Sequence, residues 1–393
     1  MQASPILIVG AGPAGSCLGA LLADQGWPVT LLEAGRLDGP QPPSAALSQR
    51  TLALAAPAWQ VLGQLGLTPA SLQAQPIRSI HVSYRGQPGR VCLEAAESGQ
   101  DSFGHTVNYD TLLAALRAAL MARPGVRLLG ECHVQQVTAA AAAARVRWQD
   151  AQGAPHAALT PLAVLAEGGR LAVGRDSVQW RYRQQALACV VRTSVTGKGC
   201  AYERFTPEGP IALLPVPEGY GLIWTGSAAR IESLLAADDQ AFLRALQDWF
   251  GDRVGAFVAV GPRQHYPLQA RFSLRTAQSR VLRVANAAQT LHPVAGQGFN
   301  LGLRDITALL DLLAPLAPGT GVAGDPGRSA LLLAHARQRR RDRWVTGGVT
   351  HLLAEGFALP GSGWMAGKAL TWFDLHQPLR QRFARLMAAG AGA

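Results

Sequence analysis

A chain of 393 residues, 48% hydrophobic and 16% charged, is long enough to bury a large core and is neither disordered nor collagen-like in composition. Its net charge of +11 would suit nucleic acid, anionic lipid or a phosphorylated ligand, but no zinc-finger spacing, RNP-like aromatic pattern or basic zipper points to the first of these. The five cysteines, Cys17, Cys92, Cys132, Cys189 and Cys200, are odd in number and scattered without a CxxC pair, which argues against a disulfide framework or a metal centre and fits a reducing cytosol.

Ile6 to Val9 read as a buried strand, followed by Gly10, Gly12 and Gly15 in GxGxxG spacing, a helix ending near Gly26, and a second strand, Val29 to Leu32, closed by Glu33. In a dinucleotide fingerprint the first glycine makes the turn, the second admits a pyrophosphate, the third lets helix and sheet pack, and the acid accepts hydrogen bonds from a ribose. A glycine-rich turn in an ordinary doubly wound sheet is the plainer reading; the strand, helix and acid around the glycines favour the dinucleotide. The same glycines interrupt the apolar run, and no basic flank precedes it, so it does not read as a signal peptide. No apolar stretch reaches the roughly 18 to 20 residues of a membrane span.

Leu37 to Pro43 form a connector, and Ser48 to Leu54 lead into a helix through Leu65. Ile77 to Leu93 alternate as a hairpin turning at Arg85 to Pro88, and Asp110 to Ala122 form an amphipathic helix with a leucine stripe. Strands are expected at Val126 to Leu129, Val134 to Val137 and Val146 to Trp148, with the alanine run Ala139 to Ala144 as a turn. Cys132 and His133 are adjacent but have no third ligand at metal spacing. From Val178 to about Phe272 the pattern is strands plus one helix near Asp239 to Phe250.

Val281 to Val284 read as another buried strand, which runs through a Pro/Gly loop into a helix beginning near Phe299. A helix that starts just after Gly296 and Gly298 offers free N–H groups, a positive dipole end and close approach to the main chain. Such a site suits a planar ring that becomes anionic, as a flavin does on reduction. After Leu313 a Pro/Gly linker leads to a tail with Arg337, Arg339, Arg340, Arg341 and Arg343, then Trp344, Leu352, Phe357, Trp364, Trp372 and Phe373. This mixture suits either an anionic bilayer surface, a set of partner-binding arginines, or the solvated face of a helix packed on its own domain.

The stretch Asn286 to Gly302, NAAQTLHPVAGQGFNLG, resembles the second FAD-binding motif of flavoprotein aromatic hydroxylases of the para-hydroxybenzoate hydroxylase type. Within that superfamily it is most similar to the ubiquinone-biosynthesis hydroxylases, in which Asn and Gln stand where most relatives carry Asp and His. The resemblance covers nearly the whole chain. It implies an α/β fold: a Rossmann-type FAD-binding domain (1–75, 100–175 and 278–330), an interleaved β-sheet substrate domain (76–99 and 176–277) and a C-terminal helical, membrane-facing region (331–393).

The implied cofactors are FAD and, as a transient reductant, NAD(P)H. The implied activity is O2-dependent hydroxylation of the ring of a polyprenylated phenol in ubiquinone biosynthesis through a flavin C4a-hydroperoxide. Implied cofactor contacts are Gly10, Gly12, Gly15, Glu33, Arg50, Glu167, Gly168, Asn286, Gly296, Gly298, Phe299 and Asn300, with Pro293 and His292 beside the reacting edge. Glu203, Arg204, Phe205, Pro215 and Trp224 fall on the family's substrate-walling sheet, and each could equally be packing or a surface ion pair. No metal is implied. The implied partners are the phenol, other ubiquinone-biosynthesis proteins and a peripheral membrane surface on the cytoplasmic side, and no nucleic acid.

Three departures stand out. Ser48 replaces an Asp common in the family, Glu167 replaces the Asp of an Ala-Asp-Gly motif with Leu171 after it, and Ala285 replaces a Gly. Glu167 and Ala285 keep open a cofactor-weakened lipid-binding or assembly subunit of the same pathway, and the shared cofactor fold keeps open a flavin-dependent isoprenoid reductase.

Overall fold

The structure is a computed structural model that describes residues 5–37, 50–172, 176–195, 197, 199–320, 324–356 and 362–389. Ser48, Phe357 and most of the connector after Leu37 lie outside the described residues.

Ile6–Val9 lies between Val29–Leu32 and Leu162–Leu165, all parallel. Val126–Leu129 extends this sheet on one side and Val281–Arg283 on the other, with Ala277–Gln278 antiparallel at the edge. These strands are short apolar runs because both faces are covered. Ile6 and Ile8 point into a core shared with helices Pro13–Asp24, Tyr109–Met121 and Gln297–Leu313. Leu7 and Val9 point instead to an antiparallel meander of His133–Ala139, Ala144–Gln149 and Pro155–Thr160. The result is a Rossmann-type α/β arrangement whose strand ends open toward the glycine-rich loops.

A second, mixed sheet is assembled from distant parts of the chain. Ser79–Tyr84 pairs in parallel with Cys200–Phe205, and the sheet continues through Ile211–Val216, Gly219–Ser227, Ser177–Thr193 and Gln264–Ser273. One face packs on helices Ala228–Ala236 and Asp239–Phe250 through Trp224, Phe242, Leu246 and Phe250. The other face turns toward the first domain and the C-terminal helices Ser329–Gly356, Ser362–Leu375 and Gln377–Ala389.

Two local expectations change. Thr51–Ala55 is a strand paired with Gly104–Asn108, and the helix is only Ala56–Gly63, because Pro57 fits the first helical turn and the residues before it find a β partner. The helix Ala228–Ala236 adds a second helix to the one the pattern predicts in this region; Ser227 caps it by accepting from Arg230 N.

The arginine cluster is the larger correction. In helix Ser329–Gly356, Arg339 and Arg343 are buried with Leu332, His335, Asp342, Thr346 and Thr350 along one stripe, while Arg337, Arg340 and Arg341 face out. Neither a solvated face nor a membrane surface accounts for the two inward arginines.

Candidate active site

A cavity of about 700 Å³ sits where the parallel strands end, bounded by two helix N-termini and the inner face of the mixed sheet. Gly10 and Gly12 line it from one helix start, Gly296, Gly298 and Phe299 from the other. Neither helix has a side-chain cap, the usual partner of first-turn N–H groups. A Cβ built on Gly12 or Gly298 meets nothing within 4 Å, because both positions border open cavity. Gly15 is different. A Cβ there would lie 1.9 Å from Gly10 O, so this glycine serves the contact between helix and loop and is not on the wall.

Glu33 stands at the end of its strand on the cavity wall, where its carboxylate accepts from Ala11 N at 2.5 Å and Gly35 N at 3.2 Å. Arg50 reaches the same wall with its guanidinium 4.7 Å from the centre of the Tyr266 ring. Arg50 Nε and the Tyr266 hydroxyl are buried and without a partner among the described residues, an arrangement that calls for an external acceptor. Glu167 and Gly168 line the cavity too; Glu167 accepts from Arg170 N at 2.5 Å through one oxygen, and its other oxygen has no partner among the described residues.

Asn286, His292 and Pro293 complete this wall. His292 Nδ1 accepts from Val294 N at 3.2 Å, its ring stands edge-on to Tyr182 at 4.9 Å, and burial, with His351 adding, pushes its pKa down to about 4. The ring is therefore neutral across the physiological range.

A second, almost wholly apolar chamber of about 330 Å³ adjoins the first. The two share Ala53, Ile77, Ile80 and Glu203 in their walls. Val82, Leu93 and Phe205 form its sheet side, and Leu370, Phe373 and Phe383 of the C-terminal helices form its roof.

Besides Gly15, four expected contacts fall elsewhere. Asn300 does not turn to the larger cavity: its Oδ1 accepts from Ala55 N at 2.9 Å and its Nδ2 donates to Ala53 O and Gly296 O, clamping the helix start to a strand. Arg204 points through the opposite face of its strand, donating to Trp249 O at 3.2 Å and Ser83 Oγ at 3.4 Å. Trp224, alternating the same way, is buried against Phe242 and Trp249. Pro215 lies outside both walls and contributes its carbonyl to Thr106 Oγ1, while its neighbour Leu214 takes the lining position. In each case strand alternation or hydrogen bonding chose the side. Cys132 lines the cavity beside His133, and among the described residues no three metal-capable side chains cluster.

Some of the important residues carried no local signal. Arg271, buried in the mixed sheet, donates to Gly168 O at 3.1 Å, Asn286 O at 2.7 Å and Gly169 O, tying two cavity loops together. Asp305 accepts from Ala285 N at 3.1 Å, Gln289 Nε2 at 2.7 Å and Arg339 Nε at 2.9 Å. Arg343 donates to Gln289 Oε1 at 2.6 Å and Ala288 O at 3.0 Å. The one available clue was the stripe Leu332, His335, Arg339, Asp342, Thr346, whose three- and four-residue spacing marks a single helix face.

A protein-family model described as an FAD binding domain matches residues 3–344. The chain is also 32% identical to "Ubiquinone hydroxylase UbiL" of Rhodospirillum rubrum over 91% of its own length and 82% of that protein's.

It is a member of the FAD-dependent ubiquinone-hydroxylase family.

The "3-demethoxyubiquinol 3-hydroxylase" of Escherichia coli is 30% identical over 79% of this chain and 80% of that one. Among solved structures, p-nitrophenol 4-monooxygenase PnpA from Pseudomonas putida superposes with a TM-score of 0.77 over 99% of both chains at 15% identity, which bears on the fold. This hydroxylase is thus a flavoprotein monooxygenase that uses FAD with NAD(P)H and O2. The cavity fits that cofactor: open glycine positions, two uncapped helix starts and an unpartnered arginine suit a long molecule with a diphosphate and a planar ring. Among the described residues, no helix is long and apolar enough to cross a membrane.

Proposed function

We propose that this hydroxylase adds oxygen to the aromatic ring of a polyprenylated phenol on the way to ubiquinone. The observation that carries the reading is the pair of chambers, one polar and glycine-lined, the other apolar, meeting at Ile80 and Glu203. A ring in the first and an isoprenoid tail in the second would fill both.

When bound, FAD supplies reduction by NAD(P)H and activation of dioxygen. The residues of this chain hold and orient it. The helix start at Gly12 and the Arg50 fork suit the diphosphate, and Glu33 suits the adenosine ribose. Gly296, Gly298 and the N–H groups before Phe299 suit the carbonyl edge that gains negative charge on reduction, with Asn286 and Pro293 beside the ring. Neutral His292 braces the loop through Val294 N. The C-terminal helices roof the apolar chamber and would keep water from the tail.

The same helices carry exposed Trp344, Trp364, Trp372 and Leu375, with Arg337, Arg340 and Arg341 exposed on the helix of Trp344 and the Lys368 ammonium 3.8 Å from the Trp364 ring centre. Aromatic and basic groups together suit docking to an anionic membrane surface, where a polyprenyl lipid would be collected.

The test is oxygen uptake coupled to NAD(P)H oxidation by the purified yellow protein. Long-tailed phenols should couple oxidation to hydroxylated product, and tail-less phenols should couple poorly. NAD(P)H oxidation without oxygen uptake would indicate an isoprenoid reductase instead, and flavin-free protein that still binds pathway hydroxylases would indicate an assembly subunit. Lipid analysis of cells lacking the protein names the ring carbon.

A further inference from the structure

Glu203 stands in the wall shared by the two chambers, at the place where the head of a tailed phenol would meet the tail's channel. Its Oε1 is buried and has no hydrogen-bond partner among the described residues. A carboxyl kept for structure is ordinarily satisfied, since an unpaired one in an apolar wall is unfavourable by several kcal/mol. The neighbours do not neutralise it. Of the residues that line the apolar chamber with it, Ile80, Val82, Phe205 and Phe373 are apolar and Gln297 and Asn300 are neutral amides. Arg204, next in sequence, is turned to the opposite face by its bonds to Trp249 and Ser83.

We propose that Glu203 is a catalytic residue that takes the phenolic proton of the substrate, a step that rests on the phenol reading above. The phenolic O–H bond breaks and a carboxyl O–H bond forms. The electron pair stays on the phenol oxygen and is shared with the ring carbons ortho and para to it, which makes them better nucleophiles toward the oxygen that the established reaction supplies. After oxygen transfer the substituted carbon loses its hydrogen as a proton to water when the ring regains aromaticity, and Glu203 returns its own proton to the phenol oxygen.

Burial raises the Glu203 carboxyl to about 8, which makes it a far better match for a phenol than an ordinary carboxylate. Other charged groups on the cavity are Glu33, Glu167, Arg50 and Arg170. The titratable rings and thiol are Tyr109, Tyr202, Tyr266, His133, His292 and Cys132. None of them contributes to the shift, whose cause is desolvation.

The experiment uses the flavin-loaded protein, 2-geranylphenol as probe, and the variants E203Q and E203D. In wild type, the longer-wavelength absorption of bound phenolate should grow as pH passes about 8, and hydroxylation should follow it. E203Q should keep its flavin and bind the probe within about threefold, show no phenolate in that range, and hydroxylate on the order of 100-fold more slowly, the scale of a lost general base. E203D should recover part of the rate. Wild-type phenolate titration and turnover in E203Q would overturn the proposal. Loss of flavin or of folding in E203Q would overturn it as well, by making Glu203 structural. If wild type neither binds nor hydroxylates the probe, the phenol reading itself fails and takes this proposal with it.

Discussion

At Gly12 the helix start is made by its neighbours in sequence: strand, turn, helix and the carboxylate of Glu33 all fall between Ile6 and Glu33, and Gly15 packs directly on Gly10. At Gly296 it is made by strangers. Arg271 holds the preceding loop at Asn286 O, Asp305 holds it at Ala285 N, and Arg339 and Arg343 reach in from a helix that begins at Ser329. The contrast teaches that two openings onto one ligand can have quite different weak points. The first fails through a local clash, and the second through loss of a buried charge far along the chain.

The strongest way to break that contrast is Arg339→Ala. It leaves buried Asp305 without its cation while Asp342 keeps Arg304, and removing one member of a buried pair costs about 3–5 kcal/mol. Thermal melting should drop sharply and flavin should be lost with the fold.

Next in size is Gly298→Val. Its Cβ would meet no neighbouring atom within 4 Å, so the chain should fold but bind FAD at least roughly 100-fold more weakly, about 2.7 kcal/mol, and purify colourless. Gly12→Val should behave alike. Gly15→Val is the sharpening control, because its side chain meets Gly10 O and should cost the fold itself.

Glu203→Gln probes the cavity between the two openings. The folded chain holds its carboxyl at about 8 against 4.5 as the ordinary value, so it keeps a proton that the unfolded chain releases. Wild-type stability contributed by this group is full below pH 4.5 and is lost as pH rises through 8. The melting temperature of E203Q should therefore gain on wild type across that window and stay level with it below.

Ala285→Gly tests the second opening in the favourable direction. Ala285 has φ of +50°, a left-handed conformation unfavourable for a side chain by about 1–2 kcal/mol, and glycine should raise stability by about 1 kcal/mol. Arg341→Ala, on the exposed side of the same helix as Arg339, should change melting by no more than about 0.5 kcal/mol.

Much of the cavity was legible beforehand. Gly10, Gly12, Glu33, Arg50, Glu167, Gly168, Asn286, His292, Pro293, Gly296, Gly298 and Phe299 all reach one wall, because short motifs of strand, turn and helix carry their own geometry. Asn300 was placed one turn too far into the ligand site, since a polar residue at a helix start can face a ligand or brace a strand, and spacing does not choose. Arg204 and Trp224 erred for a related reason: alternation says that neighbours face opposite ways but not which way is inward.

From its own order of residues this chain determined a Rossmann-type cofactor unit, two glycine-bearing helix starts and membership of a flavoprotein family, because each is announced by a short run of strand, turn and helix residues. Tertiary structure alone decided that the arginines of the tail divide into an inner pair and an outer face, that Arg271 and Asp305 support the second opening, and that Glu203 stands between the two chambers with its Oε1 unpartnered among the described residues. Those outcomes depend on which distant surfaces exclude water together. Burial of a charge is a property of the assembled fold and is written in no single stretch of sequence.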